Sequence, residues 1–268
     1  MGALRSGLES NSATWGMNQT NHIAGIIFDL GNTLLHFVAD MRETLLHGAH
    51  DLAAYLHEQG LELDAAVYID NLYATYEQTK RDWIEVTGHQ MLRRALADFG
   101  HTDVPEAMID EGIRVWLAYG ETVWKPFPDT LEMLERLRLA GYRLGLISNF
   151  FDDGWIQRTI DNFGLRPWFL PILTSAGLGL RKPHPGIFRA VLEQWGLPPE
   201  RTVMVGDTPS QDIAGAQSVG MRAVLVTMVE RPHDSDAPSI VPDATIRRLE
   251  ELPALLAQWN EGQPPSGR

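Results

Sequence analysis

Asp29 stands at the end of the apolar run Ile26-Ile27-Phe28 and directly before a glycine-bearing turn, Leu30-Gly31-Asn32-Thr33. A carboxylate at the carboxyl end of a strand in a parallel α/β sheet lies on the edge where ligands bind, and backbone amides of the turn can face an anion there. Three later stretches carry related chemistry. Leu144 to Ile147 runs into Ser148 and Asn149, and a strand-end hydroxyl can donate to a phosphate or carboxylate oxygen. Gly179-Leu180-Arg181-Lys182-Pro183 holds an ammonium in a proline-framed loop. The chain has three lysines against nineteen arginines, which weakens the explanation of Lys182 as routine surface charge. Val203 to Gly206 runs into Asp207, with Asp212 five positions later at a helix start.

Each stretch has an ordinary explanation when taken singly. Asp29 can cap the next element, Ser148-Asn149 can mark a turn, Lys182 can be an exposed loop charge, and Asp212 can favour a helix N-terminus. Two strand-end carboxylates on neighbouring strands, Asp29 and Asp207, are harder to explain so, because they repel each other unless something cationic lies between them. A hard, oxygen-liganded ion such as Mg²⁺ meets that need. Lys182 would neutralise an anionic substrate and the carboxylates around it.

The elements that must position these groups follow from periodicity. Ile23 to Phe28 reads as a buried strand. From about Asp40 to Glu121 no strand-like run occurs. Leu45, Ala49, Leu52 and Leu56 fall at helical spacing before Gly60, and three more such stripes follow, around Ile69 to Trp83, Met91 to Phe99 and Ile109 to Trp116. Lys125-Pro126-Phe127-Pro128 breaks the pattern, and Asp129 with Glu132 reads as a capping box. Strands and helices then alternate: strands at Arg143 to Ile147, Phe169 to Leu173, Thr202 to Val205 and Arg222 to Val226, with helices marked by Ile156 to Phe163, Ile187 to Trp195 and Ile213 to Val219. Such alternation implies parallel βαβ units. Arg231 to Pro242 reads as a surface loop, followed by a short strand at Ala244 to Ile246 and a helix over Leu249 to Leu256. The fold class is therefore α/β, a Rossmann-like parallel sheet with an inserted all-helical cap. The boundaries are a polar tail over 1–22, a core over 23–38 and 125–259, a cap over 39–124, and a loose tail over 260–268.

Composition narrows the partners. A formal net charge of −13 argues against nucleic acid or an anionic membrane surface. The absence of cysteine excludes thiolate catalysis and cysteine-ligated zinc. No apolar segment is long enough to span a bilayer, the first 22 residues lack a signal-peptide core, and the cytoplasm is the default location. Met17 is an alternative natural start.

The four stretches in this order, with a helical insertion directly after the first, resemble the haloacid dehalogenase superfamily of Mg²⁺-dependent phosphatases and relatives, in the branch whose helical cap follows the first motif. The resemblance covers Ile23 to Leu256. It implies that Asp29 is a nucleophile forming an aspartyl-phosphate, and that Asp29, Asp207 and the Gly31 carbonyl hold Mg²⁺ with Asp212 bracing the metal shell and Lys182. It further implies that Ser148 and Lys182 grip the transferring phosphoryl group, with Thr33 and Asn149 on the same phosphate-binding side.

One departure matters. The family's phosphatases usually place a second Asp, the general acid, two positions after the nucleophile, where this chain has Gly31. General acid catalysis is worth about 10² to 10⁴-fold, so another group donates the proton, the leaving group needs none, or the reaction differs. His36 is the candidate substitute, in a pocket mouth expected to include Asp40, Arg42 and His47. Tyr73, Tyr76, Trp83, Trp116 and Trp124 read mostly as bundle core, with one or two in a substrate pocket. Gly31 is also a candidate for a turn needing φ > 0. Expected substrates are small phosphorylated or otherwise anionic molecules. Two other readings stay open: a 2-haloacid dehalogenase, since a halide leaves unprotonated, and a catalytically weak binding protein that keeps the fold. A phosphonate-cleaving relative would need a Schiff-base lysine in the cap, and Lys80, its one candidate, lies mid-helix without special context.

Overall fold

The computed structural model describes residues 22–229 and 239–262. The tails expected over 1–22 and 260–268 and the loop from Arg231 to Pro242 fall largely outside them. In chain order the elements are β1 (Gly25–Phe28), β2 (Leu35–Phe37), α1 (Met41–Glu58), α2 (Ala65–Asp82), α3 (Gly88–Asp98) and α4 (Glu106–Ala118). They continue with β3 (Trp124–Pro126), α5 (Thr130–Leu139), β4 (Arg143–Ser148), α6 (Asp153–Asn162), β5 (Ile172–Thr174) and α7 (Ser175–Leu178). The chain closes with α8 (Pro185–Trp195), β6 (Thr202–Gly206), α9 (Ala214–Ser218), β7 (Arg222–Val226), β8 (Ala244–Ile246) and α10 (Leu252–Asn260).

Six strands form one parallel sheet in the order β5-β4-β1-β6-β7-β8. The chain steps outward from β1 to β4 and β5, then returns to the other side for β6, so the order reverses next to β1. The crevice at the carboxyl ends there is where open α/β sheets bind ligands. Phe28 pairs with Leu146 on one side and Val205 on the other, so the residues that follow these strands emerge together. Side chains alternate faces as pleating requires: Ile26, Phe28, Val203 and Val205 enter one core layer, whereas Ile27 and Met204 enter the other with α8 and α9.

The first of these layers runs without interruption into the four helices between β2 and β3. Each of the first three helices has a side-chain cap: Asp40 accepts from Glu43 N, Asp64 from Val67 N, and Thr87 forms a capping box with Gln90. Trp116 is buried in the middle, donating from Nε1 to Leu45 O at 3.1 Å. No helix among the described residues is long and apolar enough to cross a membrane.

Several local expectations are corrected. The antiparallel pair β2–β3, with His36 opposite Lys125, joins the two ends of the helical insertion where only a break in the pattern is legible. The strand expected over Phe169 to Leu173 begins at Ile172, because Pro171 has no N–H for the ladder and contributes only its carbonyl, to Leu146 N. The Asp129–Glu132 capping box does not form; Asp129 instead accepts from Glu250 N at 3.0 Å, tying the start of α5 to the 3-10 turn that precedes α10. The segment Ile213 to Val219 is only partly α-helical, since a π-turn over Pro209–Ile213 precedes α9. The last helix runs on to Asn260, whose side chain holds both Ile23 backbone groups and the Tyr142 hydroxyl, so this residue is part of the packed core rather than a loose tail.

Candidate active site

Asp29 leaves β1 with its N–H still bonded to Val205 O at 2.9 Å, which fixes the residue at the sheet edge. Lys182 reaches it from the loop before α8. Its Nζ lies 2.6 Å from Asp29 Oδ1 and 2.7 Å from Asp212 Oδ1, and also donates to Ile147 O at 3.2 Å. The ammonium is 2% exposed and Asp212 is 1% exposed. Burial pulls the Lys182 pKa down, but Asp212 and Asp29 outweigh it and the group is held above its ordinary value. For Asp212 burial dominates and raises the pKa, against the pull of Lys182.

Asp207 emerges from β6, buried, and accepts from Thr208 Oγ1 at 3.1 Å. Asp212 returns over it from the π-turn, where Thr208 N donates to Oδ2 at 2.9 Å. The approach is close enough to dictate the residue at 206: a Cβ there would sit 2.3 Å from the Asp212 carboxyl carbon. Glycine before the strand-end aspartate is thus a steric requirement of the second carboxylate.

Oxygens of Asp29, Asp207 and Asp212 lie within 4.8 Å of one another. One ammonium cannot balance three buried carboxylates, and the donors are all hard oxygens, so the set fits a divalent cation of the Mg²⁺ type.

The structure brings Asp29, Gly31, Ser148, Asn149 and Asp207 to the wall of one cavity of about 420 Å³, with Lys182 beneath it. Asn149 spends its amide on the lysine loop: Oδ1 accepts from Lys182 N, while Nδ2 donates to Lys182 O and to Gln211 Oε1. It clamps the cation's backbone. Thr33 is not brought to the cavity. The chain turns through left-handed Asn32, φ 56°, and Thr33 is fully buried with no hydrogen-bond partner for its hydroxyl.

The expected mouth residues are likewise displaced. His36 packs at a tilt against Phe127 at 4.9 Å, Asp40 caps α1, Arg42 pairs with Asp70, and His47 packs at a tilt against Tyr119, none of them on the cavity wall. No histidine is among the described residues that line it. Gly31 does not occupy the left-handed region; its open side faces Trp124, whose ring atoms would lie 3.1 and 3.4 Å from a Cβ. The indole stands where a side chain at 31 would point. Of the five aromatic residues read mainly as core, Trp116 is core, Tyr73, Tyr76 and Trp124 line the cavity, and Trp83 is exposed at the end of α2.

A second buried ion pair has no signal of its own in the sequence. Arg181, beside Lys182, donates from Nη1 to Thr79 Oγ1 at 2.7 Å and Glu85 Oε1 at 3.2 Å, over the Tyr76 ring. Ser175 Oγ donates to the other Glu85 oxygen. Burial raises the Glu85 pKa, against Arg181 and Ser175. Backbone bonds Arg181 N to Trp83 O and Glu85 N to Gly179 O latch the end of α2 onto the lysine loop.

Comparison with known proteins accords with this arrangement. The family model for haloacid dehalogenase-like hydrolase matches residues 23–220. The chain is 41% identical over 113 residues to glyceraldehyde 3-phosphate phosphatase from Methanothermobacter thermautotrophicus, covering 41% of this chain and only half of that protein's length. A protein of the same name from Methanopyrus kandleri is 30% identical over 208 residues, covering 73% of this chain and 82% of the relative. The solved structure of a 2-haloacid dehalogenase from Pseudomonas syringae superposes with a TM-score of 0.68 at 29% identity, covering 88% of this chain and 99% of the other. The match over most of the sheet, the cap and the sheet-edge cluster means that this chain belongs to the haloacid dehalogenase-like hydrolases.

Proposed function

We propose that the protein is a Mg²⁺-dependent phosphatase of small phosphorylated metabolites in the cytoplasm, with residues 23–38 and 125–259 as core and 39–124 as cap. The observation that carries this reading is the buried cluster in which Lys182 bridges Asp29 and Asp212 beside Asp207. A phosphoryl group needs such a mixture: a carboxylate to attack phosphorus, and fixed positive charge for the equatorial oxygens.

Asp29 attacks phosphorus in line with the ester oxygen, and the leaving group departs on the cavity side. Water then cleaves the aspartyl-phosphate. Lys182, held in position by Asn149 and Asp212, offers its ammonium to the transferring oxygens, and Ser148 donates its hydroxyl to them. Asp29, Asp207 and the Gly31 carbonyl would hold Mg²⁺, with Asp212 as support. When bound, the ion supplies positive charge against the phosphoryl oxygens.

A second reading, 2-haloacid dehalogenase, is favoured by Gly31 and by the likeness to the Pseudomonas syringae structure. Phosphate release from an ester panel and halide release from 2-haloacids, each with and without Mg²⁺, separate the two. Metal-dependent phosphate release is expected; metal-independent halide release without phosphate release would replace the phosphatase assignment.

A further inference from the structure

Two sides of the cavity above Asp29 are apolar. One wall is a run of packed rings: Trp124 meets Trp155 at 5.9 Å, Trp155 stacks on Phe150 at 4.4 Å, and Phe150 on Phe151 at 4.3 Å. All four line the cavity. The cap supplies the facing wall with Met41, Leu45, Leu72 and Tyr73. Arg181 is the one cation on the described lining, and it is already engaged by Glu85, Thr79 and the Tyr76 ring. The lining also carries hydroxyl and amide groups, Tyr73, Thr75, Thr159 and Gln211 among them, but a polar leaving group laid against the ring wall would lose hydration there without a partner.

The Gly31 position leads independently to the same substrate. Trp124 fills the direction in which an acid at 31 would point, and the cavity's one carboxyl group outside the sheet edge, Glu85, has both oxygens engaged by Arg181 and Ser175. A leaving oxygen that departs without a proton must already be a weak base.

We propose that the apolar cavity is a leaving-group subsite for a flat aromatic ring, so that the preferred substrates are aryl phosphates; this deepens the phosphatase reading and rests on it. In the first step the bond from Asp29 oxygen to phosphorus forms as the bond from phosphorus to the aryl oxygen breaks. The electron pair leaves as a phenolate, which solvent protonates. Water then hydrolyses the aspartyl-phosphate to carboxylate and inorganic phosphate. The ring of the leaving group lies against Trp124 at the spacing of offset-stacked rings, while Phe150, stacked on Trp155 and Phe151, offers only its edge.

Two measurements test this together. Calorimetric titration with Mg²⁺ present compares phenylphosphonate with methylphosphonate, neither of which is hydrolysed; in parallel, kcat/KM is measured for phenyl, acetyl and ethyl phosphate. Phenylphosphonate is expected to bind at least tenfold more tightly than methylphosphonate. Met41→Gln, at an exposed position on the cavity wall, should reduce that advantage severalfold, with a smaller loss of methylphosphonate affinity. Phenyl phosphate should also exceed acetyl phosphate in kcat/KM, although acetate is the weaker base. Equal phosphonate affinities, with any phosphate ester hydrolysed, would overturn the subsite and leave the phosphatase standing. A phenyl preference in binding with no ester hydrolysed would do the reverse.

Discussion

The floor and the walls of the cavity are built on opposite principles. The floor is a handful of almost fully buried charged groups, Asp29 and Asp207 on two adjacent strand ends, Asp212 on the π-turn and Lys182 on a loop, with the ammonium bonded to Asp29 and Asp212. The walls are apolar side chains from the cap, β3 and the segment after β4, joined by ring contacts. A buried charge needs its partner at a fixed distance, because an unpaired one costs several kcal/mol. Stacked rings tolerate exchange for other apolar groups of similar volume at about 1 kcal/mol. On the proposed function, the floor dictates residue identities and sets the reaction, whereas the walls allow exchange and set the substrate.

If that contrast holds, damage to the floor should be severe and damage to the walls graded. Lys182→Ala removes the cation that bridges Asp29 and Asp212, and phosphate-ester turnover should fall by about 10³-fold or more. Lys182→Arg should be similarly impaired, because a planar fork does not fit between the two carboxylates. Steady-state rates on one good substrate check both.

Gly206→Ala comes next. Its methyl would collide with the Asp212 carboxyl at 2.3 Å, so Asp212 must move away from Lys182 and Thr208 N. The expected outcome is a loss of about 1–3 kcal/mol in unfolding free energy together with a higher Mg²⁺ concentration for half-maximal turnover, measured by denaturant unfolding and metal titration.

Gly31→Asp tests the boundary between the regions. Because the backbone there is not left-handed, the cost is contact with Trp124 rather than strain. Combined with Trp124→Leu to make room, the added carboxyl should raise alkyl phosphate turnover by about tenfold or more and flatten the dependence on leaving-group acidity. A flat dependence in the unmutated protein would show that a donor is already present.

The smallest effect concerns the latch. Burial raises the Glu85 pKa in the folded chain, so the folded state binds this proton more tightly than the unfolded chain does. Its pH-linked stabilisation is full below the ordinary Glu range, near about 4.3, and is lost as pH rises through the folded value. The stability difference between the unmutated protein and Glu85→Gln should accordingly shrink as pH rises through that window, as followed by thermal unfolding in a pH series.

The same contrast explains which features are legible in the sequence. Asp29, Ser148, Lys182, Asp207 and Asp212 stand out because each ends an apolar run or sits in a glycine- or proline-marked turn, and mutual repulsion of the carboxylates demands a cation. The parallel sheet is legible from alternating periodicity. Thr33 is misplaced by sequence reasoning because nothing in the residue order shows that Asn32 turns through the left-handed region and carries the next residue inside. His36 is misplaced for want of the β2–β3 ladder, whose three-residue strands lack a period long enough to detect. The Arg181–Glu85 pair joins positions 96 residues apart, and only packing of α2 against the lysine loop brings them together. Tyr73, Tyr76 and Trp124 follow the same rule: an aromatic residue at helical spacing reads as core until its neighbours are known.

On the proposed mechanism Asp29 takes the phosphoryl group itself. Acid quenching during turnover of an aryl phosphate with Mg²⁺, followed by peptide mapping, tests it most directly. A phosphorylated peptide containing Asp29 is expected, absent in excess chelator and absent from Asp29→Asn, which should also have lost turnover while keeping its fold. Sustained phosphate release from Asp29→Asn, or a phosphoryl group trapped on any other residue, would contradict it.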